Sequence, residues 1–365
     1  MATTNGLPTL KIAFEKAAAA VVSRTKKGVA AVMVRDENAQ GVYSISSTLF
    51  IPSGLGETNK AHIRTAFQGS DRGEPSQVVL VVIAPGTSDT TALEAGLKLL
   101  EAYSIDYLAG PPDVTEDELD VLNTWVLAQR EQYNTVKLVR PYLTAGSDEM
   151  GIIELDETGL ANKDGPVTAA AYCARLAGIF AGIPVSMSAT NVSMSELTAV
   201  TPRTMLEQQT AINNGKLIFV HDGLQAYIAR AVNSLTTIPD KGNEDWSKIK
   251  IVEGMDLIRY YLRNTIRQSY MGRYANTYDN KQLLVAAIQD YFQYLESAGV
   301  LNPGQSYAQV DYDRQLEWIN TQGVSTTNMS RQEVLEYQTG SWVFIRCGGR
   351  LVDAQEDFEV VFNTL

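Results

Sequence analysis

The run Gln77-Val-Val-Leu-Val-Val-Ile-Ala84 constrains the fold more than any other stretch. Unbroken apolar, β-branched sequence of this length fits a central strand covered on both faces, not a half-exposed one. Downstream of it, helix and strand patterns alternate. Asp89 to Tyr103 has apolar residues (Ala92, Leu93, Leu97, Leu99, Leu100) at helical spacing, and Ile105–Ala109 reads as a short strand ended by Gly110-Pro111-Pro112. Thr115 with Glu118 three residues on is a capping-box signature, opening a helix to about Tyr133. Thr135–Arg140 and Gly151–Leu155 read as further strands, and Thr168–Ala181 as a helix of small residues suited to close packing. Upstream, Gly28 opens the buried-strand pattern Val29–Arg35, and Ile63 and Phe67 mark one face of a helix over 57–68. The rhythm predicts an α/β fold with a mainly parallel, Rossmann-like layer.

The second half changes character, towards α+β. Thr201-Pro202 is expected as N-cap and first helical residue of a helix to Asn213. Residues 216–222 and 224–232 are expected to form a hairpin around Asp222-Gly223. Strand then helix is expected from Ile249 to about Tyr270, a periodic helix over 279–298, and a strand over 309–313. Ser341 to Asp353 reads as another hairpin. Four segments result: an N-terminal arm and linker (1–27), an α/β domain (28–200), a C-terminal α+β core domain with hairpin (201–354) and a C-terminal arm (355–365).

Both ends of the chain keep strand patterns. Residues 7–16 alternate apolar and polar, and 357–365 run β-favouring residues to the last position. Chain ends are ordinarily polar and frayed, so a patterned end needs a sheet to join. Leu10, Ile12 and Phe14, with Phe358, Val360 and Phe362, are the candidate arm contacts. Trp342, Phe344, Ile345 and Leu351 are the candidate receiving residues. Pairing within one subunit and pairing between copies both fit the pattern; the second makes the chain a building block, because strand addition links subunits through main-chain hydrogen bonds.

Composition excludes several classes. At 365 residues with 45% hydrophobic content, the chain has ample length for a core. Its longest apolar runs fall far short of the roughly 20 residues of a spanning helix, and the N-terminus lacks the layout of a secretion signal; cytosolic synthesis and no membrane insertion are expected. A net charge of −12 argues against a nucleic-acid partner. The two cysteines, Cys173 and Cys347, make no disulfide framework, and Cys173 is expected as a buried thiol. The two histidines, His62 and His221, belong to no metal-ligand motif. No phosphate loop, nucleophile elbow or dinucleotide fingerprint is present, so no cofactor, metal or catalytic residue is expected. Asp156, Glu157 and Asp164 read as solvated loop acids without EF-hand spacing. The acids from Asp113 to Asp120 read as complements to a helix dipole.

Several segments resemble the contractile tail sheath proteins of bacteriophages and of related particles such as defective prophages and R-type bacteriocins. Residues 14–36 resemble the family's opening, with Ser23-Arg24 and Gly28-Val29 before a buried strand. Residues 55–69 match its Asn-Lys, Ile, Ala-Phe, Gly segment. Residues 229–236 are similar to its Arg-Gly-Val-Asn-Thr-Leu-Thr, with Ala231 and Ser234 as departures. Trp246 to Ile258 resembles its Trp-x-Lys-Ile to Met-Asp-x-Ile run, and 353–363 its terminal arm. The resemblance covers nearly the whole chain. Longer members insert a β-sandwich after the first strand; the spacing here indicates a compact member without it.

The resemblance implies a non-enzymatic, helical homo-oligomer of stacked hexameric rings around an inner tail tube, with baseplate and tail terminator proteins as further partners. It implies assembly in the bacterial cytoplasm into a virion tail or a released phage-like particle. Each subunit would lend both arms to neighbours. Contraction would be a rigid-body rearrangement about hinges at 17–27 and Gln355-Glu356, driving the tube through a cell envelope without nucleotide hydrolysis. Helices within 257–270 or 279–298 would include the tube contacts. A cytosolic α/β enzyme or nucleotide-binding protein, and a binding module that closes into one ring, are the alternatives.

Overall fold

The structure is a computed structural model that describes residues 28–86, 90–240 and 242–363. The candidate residues Leu10, Ile12 and Phe14 lie outside the described residues, as does the hinge expected at 17–27. The chain divides into two compact units, with residues 254–352 in one and 28–253 plus 353–363 in the other. The division is not at 200, where the sequence suggested it, because residues 216–217 belong to the large sheet of the first half.

That sheet has seven strands: β1 (Val29–Arg35), β2 (Gly41–Ile45), β3 (Gln77–Ile83), β4 (Tyr107–Ala109), β5 (Lys137–Pro141), β6 (Ile152–Leu155) and β11 (Lys216–Leu217). Their spatial order is β11-β6-β5-β4-β1-β3-β2, and only β2 pairs antiparallel. The α/β, parallel-rich architecture expected from the alternation is therefore present. β1 is central, with Ala30 opposite both Val78 and Tyr107. Alternate residues of β1 and β3 divide between two cores. Ala30, Val32, Val34, Val78, Leu80 and Val82 face α1 (Glu57–Phe67) and α4 (Ala169–Gly182). Val29, Ala31, Met33, Val79, Val81 and Ile83 face α2 (Thr91–Leu100) and α3 (Glu116–Glu131). The unbroken apolar character of residues 78–83 is thus needed on both sides.

The small residues of α4 have a specific purpose. A Cβ on Gly178 would overlap the Ala66 carbonyl oxygen of α1, so glycine alone permits this approach. Cys173 is fully buried in the same helix, and burial pushes its thiol far above its usual range. Thr115 and Glu118 form the expected capping box, and buried Glu118 also accepts two hydrogen bonds from Arg35, at 2.6 and 2.7 Å.

Small antiparallel sheets complete this unit. One pairs β7 (Ala161–Asn162) with β8 (Gly165–Pro166) and β10 (Leu197–Ala199); the other pairs β9 (Ser193–Met194), β12 (Phe219–His221) and β13 (Ala226–Ile228). β12 and β13 are the expected hairpin, closed by the Asp222 carboxylate accepting from the N–H groups of Leu224 and Gln225. The helix expected from Thr201 begins later: α5 spans Met205–Asn213, capped by Thr204 with Glu207. Thr201 instead turns its hydroxyl to the N–H groups of Thr158 and Gly159.

Past residue 253, the described residues are mainly helical. α6 (Ile249–Thr265) starts as helix, without the strand expected at Ile249, and ends in a π turn at Ile266–Tyr270. α7 (Tyr278–Ser297), α8 (Tyr312–Thr321) and α9 (Arg331–Glu336) come after it. The Lys281 ammonium is buried and donates to Gln315 and Thr339, while Gln315 donates to the Val334 and Leu335 carbonyls. β14 (Tyr307–Val310) and β15 (Ile345–Gly348) make a two-stranded antiparallel sheet.

Candidate assembly interface

The hairpin expected over 341–353 does not form. Both of its halves pair with residues 301–311 instead: Ile345–Gly348 with β14, and Leu351 in a bridge with Leu301. Backbone demand explains the difference. The Trp342 carbonyl accepts from Asn276 Nδ2 and Thr339 Oγ1, which draws residues 340–342 out of strand geometry. The Arg350 carbonyl accepts from the Asn302 N–H, so Gly348-Gly349 is not a reversal.

The register of β14 and β15 fixes which backbone groups point outward. The Asp311 N–H bonds the Phe344 carbonyl, so 311 and 344 are a hydrogen-bonded pair. Alternation then makes Gln309 with Arg346, and Tyr307 with Gly348, the other bonded pairs. Ala308 with Cys347 and Val310 with Ile345 turn their N–H and C=O groups away from each other. On the β14 side the Ala308 N–H is taken by Gln289 Oε1 of α7 at 2.9 Å. On the β15 side no described residue bonds the outward groups of Ile345 and Cys347. Among the described residues the β14 edge has one outward group bonded and the β15 edge has none.

Of the four candidate receiving residues, Ile345 lies on that open strand. Trp342 is 44% exposed and its ring stacks with Phe344, next to the strand. Leu351 is committed elsewhere: its side chain fills the space that a Cβ on Gly254 would need. Arg346 leaves the sheet to reach Asp311 Oδ2 at 3.0 Å and Asp313 Oδ2 at 3.3 Å.

The C-terminal segment is the second part of the candidate interface. Residues 352–363 form no strand or helix. Phe358, Val360, Val361 and Phe362 are 74–85% exposed, so the apolar pattern of the end covers nothing in its own unit. The pattern in sequence had identified three of them; Val361 was missed because it breaks the alternation. Residues just before are different. Glu356 is almost buried and accepts from Ser188 Oγ at 2.6 Å, and Asp357 is bound by Arg230. Gln355-Glu356, expected as a hinge, is therefore tied to its own unit.

The polar clusters singled out in the sequence are structural. Glu157 is not a solvated loop acid; it is buried and accepts from Arg203, from the Thr201 N–H and from the Phe219 N–H, while Asp156 lies near Arg203 and Lys216. Asp113 pairs with Arg35 at 3.0 Å. His221 Nδ1 accepts from the Gly223 N–H in the hairpin turn. His62 Nε2 is buried without a hydrogen-bond partner, and burial pulls the imidazole down to about 4. Among the described residues no group of three or more His, Cys, Asp or Glu is placed to hold a metal ion. No described helix is long and apolar enough to cross a membrane.

Residues 241–334 match the family model of the phage tail sheath C-terminal domain. The tail sheath protein of Clostridium phage phiCD119 is 28% identical over 360 residues, spanning 97% of this chain and 98% of that protein. The helical sheath of the anti-feeding prophage in its contracted state superposes with a TM-score of 0.69 at 17% identity, over 99% of both chains. The sheath tail protein of Desulfitobacterium hafniense gives a TM-score of 0.67 at 16% identity, over 83% of this chain and 94% of that one. These relatives are structural tail components, and the chain is a structural protein, not an enzyme. Similarity to a tail sheath protein along nearly its whole length, a match to the phage tail sheath C-terminal domain in its second half and a shared fold make the phage tail sheath proteins the family this chain resembles.

Proposed function

We propose that this protein is the repeating subunit of a contractile sheath, stacked as hexameric rings around an inner tail tube, and that its C-terminal segment is lent to a neighbouring copy. The carrying observation is that the same chain holds a strand edge, at Ile345 and Cys347, with no partner among the described residues, and an exposed apolar segment, 358–362. A strand with Phe358, Val360 and Phe362 on one face completes the β14–β15 sheet of the next copy and brings each apolar side chain out of water. Each main-chain hydrogen bond gained contributes about 0.5–1.5 kcal/mol net, and each apolar side chain fully buried about 1.5–3 kcal/mol. Leu10, Ile12 and Phe14 are proposed as the corresponding residues of the N-terminal arm.

Contraction is a rearrangement of whole units while the lent segments hold the mesh, driving the tube through a target envelope. The inner tube, the baseplate and the tail terminator are its partners, with the tube met by α6 or α7. Assembly takes place in the bacterial cytoplasm, and the product is a virion tail or a phage-like particle.

The test is a chain truncated after Asp357. It is expected to melt like the full chain and to remain unpolymerised in negative-stain micrographs, where the full chain forms long tubes. Tubes of ordinary length from the truncated chain would remove the strand-lending reading.

A further inference from the structure

Three segments far apart in sequence converge where the C-terminal arm begins. Residues 229–236 and 246–253 run side by side: Val232 and Lys248 form an antiparallel bridge, the Asn233 N–H bonds the Ser247 carbonyl at 2.8 Å, and the Ile249 N–H bonds the Ala231 carbonyl at 3.0 Å. Asn233 Nδ2 also reaches the Trp246 carbonyl at 2.7 Å. This pairing holds two cations, Arg230 and Lys248, in fixed positions. Against them lie the acids of the third segment. Lys248 pairs with Asp353, and is itself steadied by Asp245 at 3.0 Å. Arg230 pairs with Asp357 and lies 3.7 Å from Glu356, whose other oxygen accepts from Ser188. Ser188 is in turn fixed through its carbonyl by Arg72, which also bonds the Thr190 carbonyl at 2.9 Å.

The pairing is strong enough to perturb both partners. Hydrogen bonding to Asp357 raises Arg230, and hydrogen bonding from Arg230 lowers Asp357. Immediately beyond Asp357 the anchoring stops, and Phe358 is 74% exposed. The stretches on either side of the two cations are packed into the core, with Ala231, Val232, Ile249 and Val252 buried, whereas Arg230 and Lys248 themselves are only partly buried.

We propose that Arg230 and Lys248 are positioning residues: with Asp353, Glu356 and Asp357 they form an electrostatic clasp that sets the direction in which the C-terminal arm leaves its own body, so that the arm pivots at Phe358. The proposal rests on the strand-lending reading and deepens it. A lent strand reaches the same edge in every copy only if its root is held in one orientation. A free root lets the same strand engage at variable angles, giving irregular polymers or none. The clasp is made of partly exposed ion pairs, so it weakens as salt screens them.

The experiment uses the full-length chain with two double variants. Arg230→Ala/Lys248→Ala opens the clasp; Arg230→Glu/Asp357→Arg reverses one pair and restores it in the opposite sense. Hydrogen exchange at residues 354–357 of unpolymerised protein reads the clasp directly, and electron microscopy with a pelleting assay reads assembly. The alanine variant is expected to melt near the parent temperature, to exchange faster at 354–357, and to need at least about tenfold more protein to polymerise. The reversed pair is expected to recover most of both losses. In the unchanged protein, exchange at 354–357 is expected to rise between about 0.1 and about 0.5 M salt. Unaltered exchange in the alanine variant and across that salt range would overturn the proposal without need of any tube. So would regular tubes from the alanine variant at the parent concentration. Failure of the strand-lending reading has a different signature, since there the chain truncated after Asp357 polymerises normally with its clasp intact.

Discussion

β1 is hydrogen-bonded on both sides and covered on both faces, whereas β15 is bonded on one side only among the described residues. The seven-stranded sheet ends in short edges, five residues in β2 and two in β11, which offer little to another chain. The two-stranded sheet is marginal by itself, as such sheets are in water, and it is supported by α7 along β14. One sheet holds its unit together; the other is the one proposed to be completed by a neighbouring copy. Substitutions should therefore separate stability from assembly according to which sheet they touch.

The largest effect is expected at Gly178. Changing it to Val forces a side chain against the Ala66 backbone and must push α4 away from α1. A loss of about 3 kcal/mol or more is expected, read as a lowered urea midpoint. A variant as stable as the parent would mean that the two helices are not locked together. Next come two prolines, one residue apart in β15. Arg346→Pro removes the N–H of a bonded pair and the ion pairs to Asp311 and Asp313, and is expected to cost about 3 kcal/mol. Cys347→Pro removes an N–H on the β15 edge that has no partner among the described residues, and is expected to change stability by less than about 1 kcal/mol while abolishing tubes. Tubes from Cys347→Pro would show that the outer edge of β15 is not the receiving edge.

His62 gives a smaller effect, confined to the seven-stranded unit. Its Nε2 is buried and its imidazole held down to about 4, against about 6.5 for an unfolded chain. Below about pH 6.5 the unfolded chain takes up a proton that the folded one refuses. Stability from this group is thus complete above about pH 6.5 and lost as pH falls towards about 4, by about 2–3 kcal/mol near pH 4.5. His62→Gln is expected to flatten that part of a midpoint-against-pH curve; an unchanged slope would assign the acid sensitivity elsewhere.

The sequence made the first unit readable where one physical demand dominates. Residues 77–83 must be apolar on both faces, Thr115 and Glu118 cap within four residues of each other, and Asp222-Gly223 turns a hairpin by local chemistry. The second unit hid its plan because its decisive bonds are distant. Nothing near Trp342 announces that Asn276 takes its carbonyl, and nothing in Ser341–Asp353 shows that both halves prefer residues 301–311 to each other. Buried charges were equally silent. Arg140 pairs with Glu154 at 2.8 Å and Lys137 with Glu253 at 3.2 Å, and no local pattern in sequence marks these charges as buried. The ion pairs of Arg230 and Lys248 were silent too, because their partners Asp357 and Asp353 lie more than a hundred residues away in the chain.

Gln289 offers the finest test of the contrast between the sheets. Its Oε1 occupies the Ala308 N–H, and its amide approaches Ser306. Changing Gln289 to Ala removes one hydrogen bond from an edge that α7 still flanks, so the stability cost is small, about 1 kcal/mol. The consequence for assembly has the opposite sign to that of Cys347→Pro: a second edge becomes available, and mixed or branched polymers are expected at protein concentrations where the parent gives straight tubes. Straight tubes from Gln289→Ala, with the small stability loss in place, would mean that α7 alone closes the β14 side. The single open edge would then be a property of helix packing, with the glutamine contributing only its one bond.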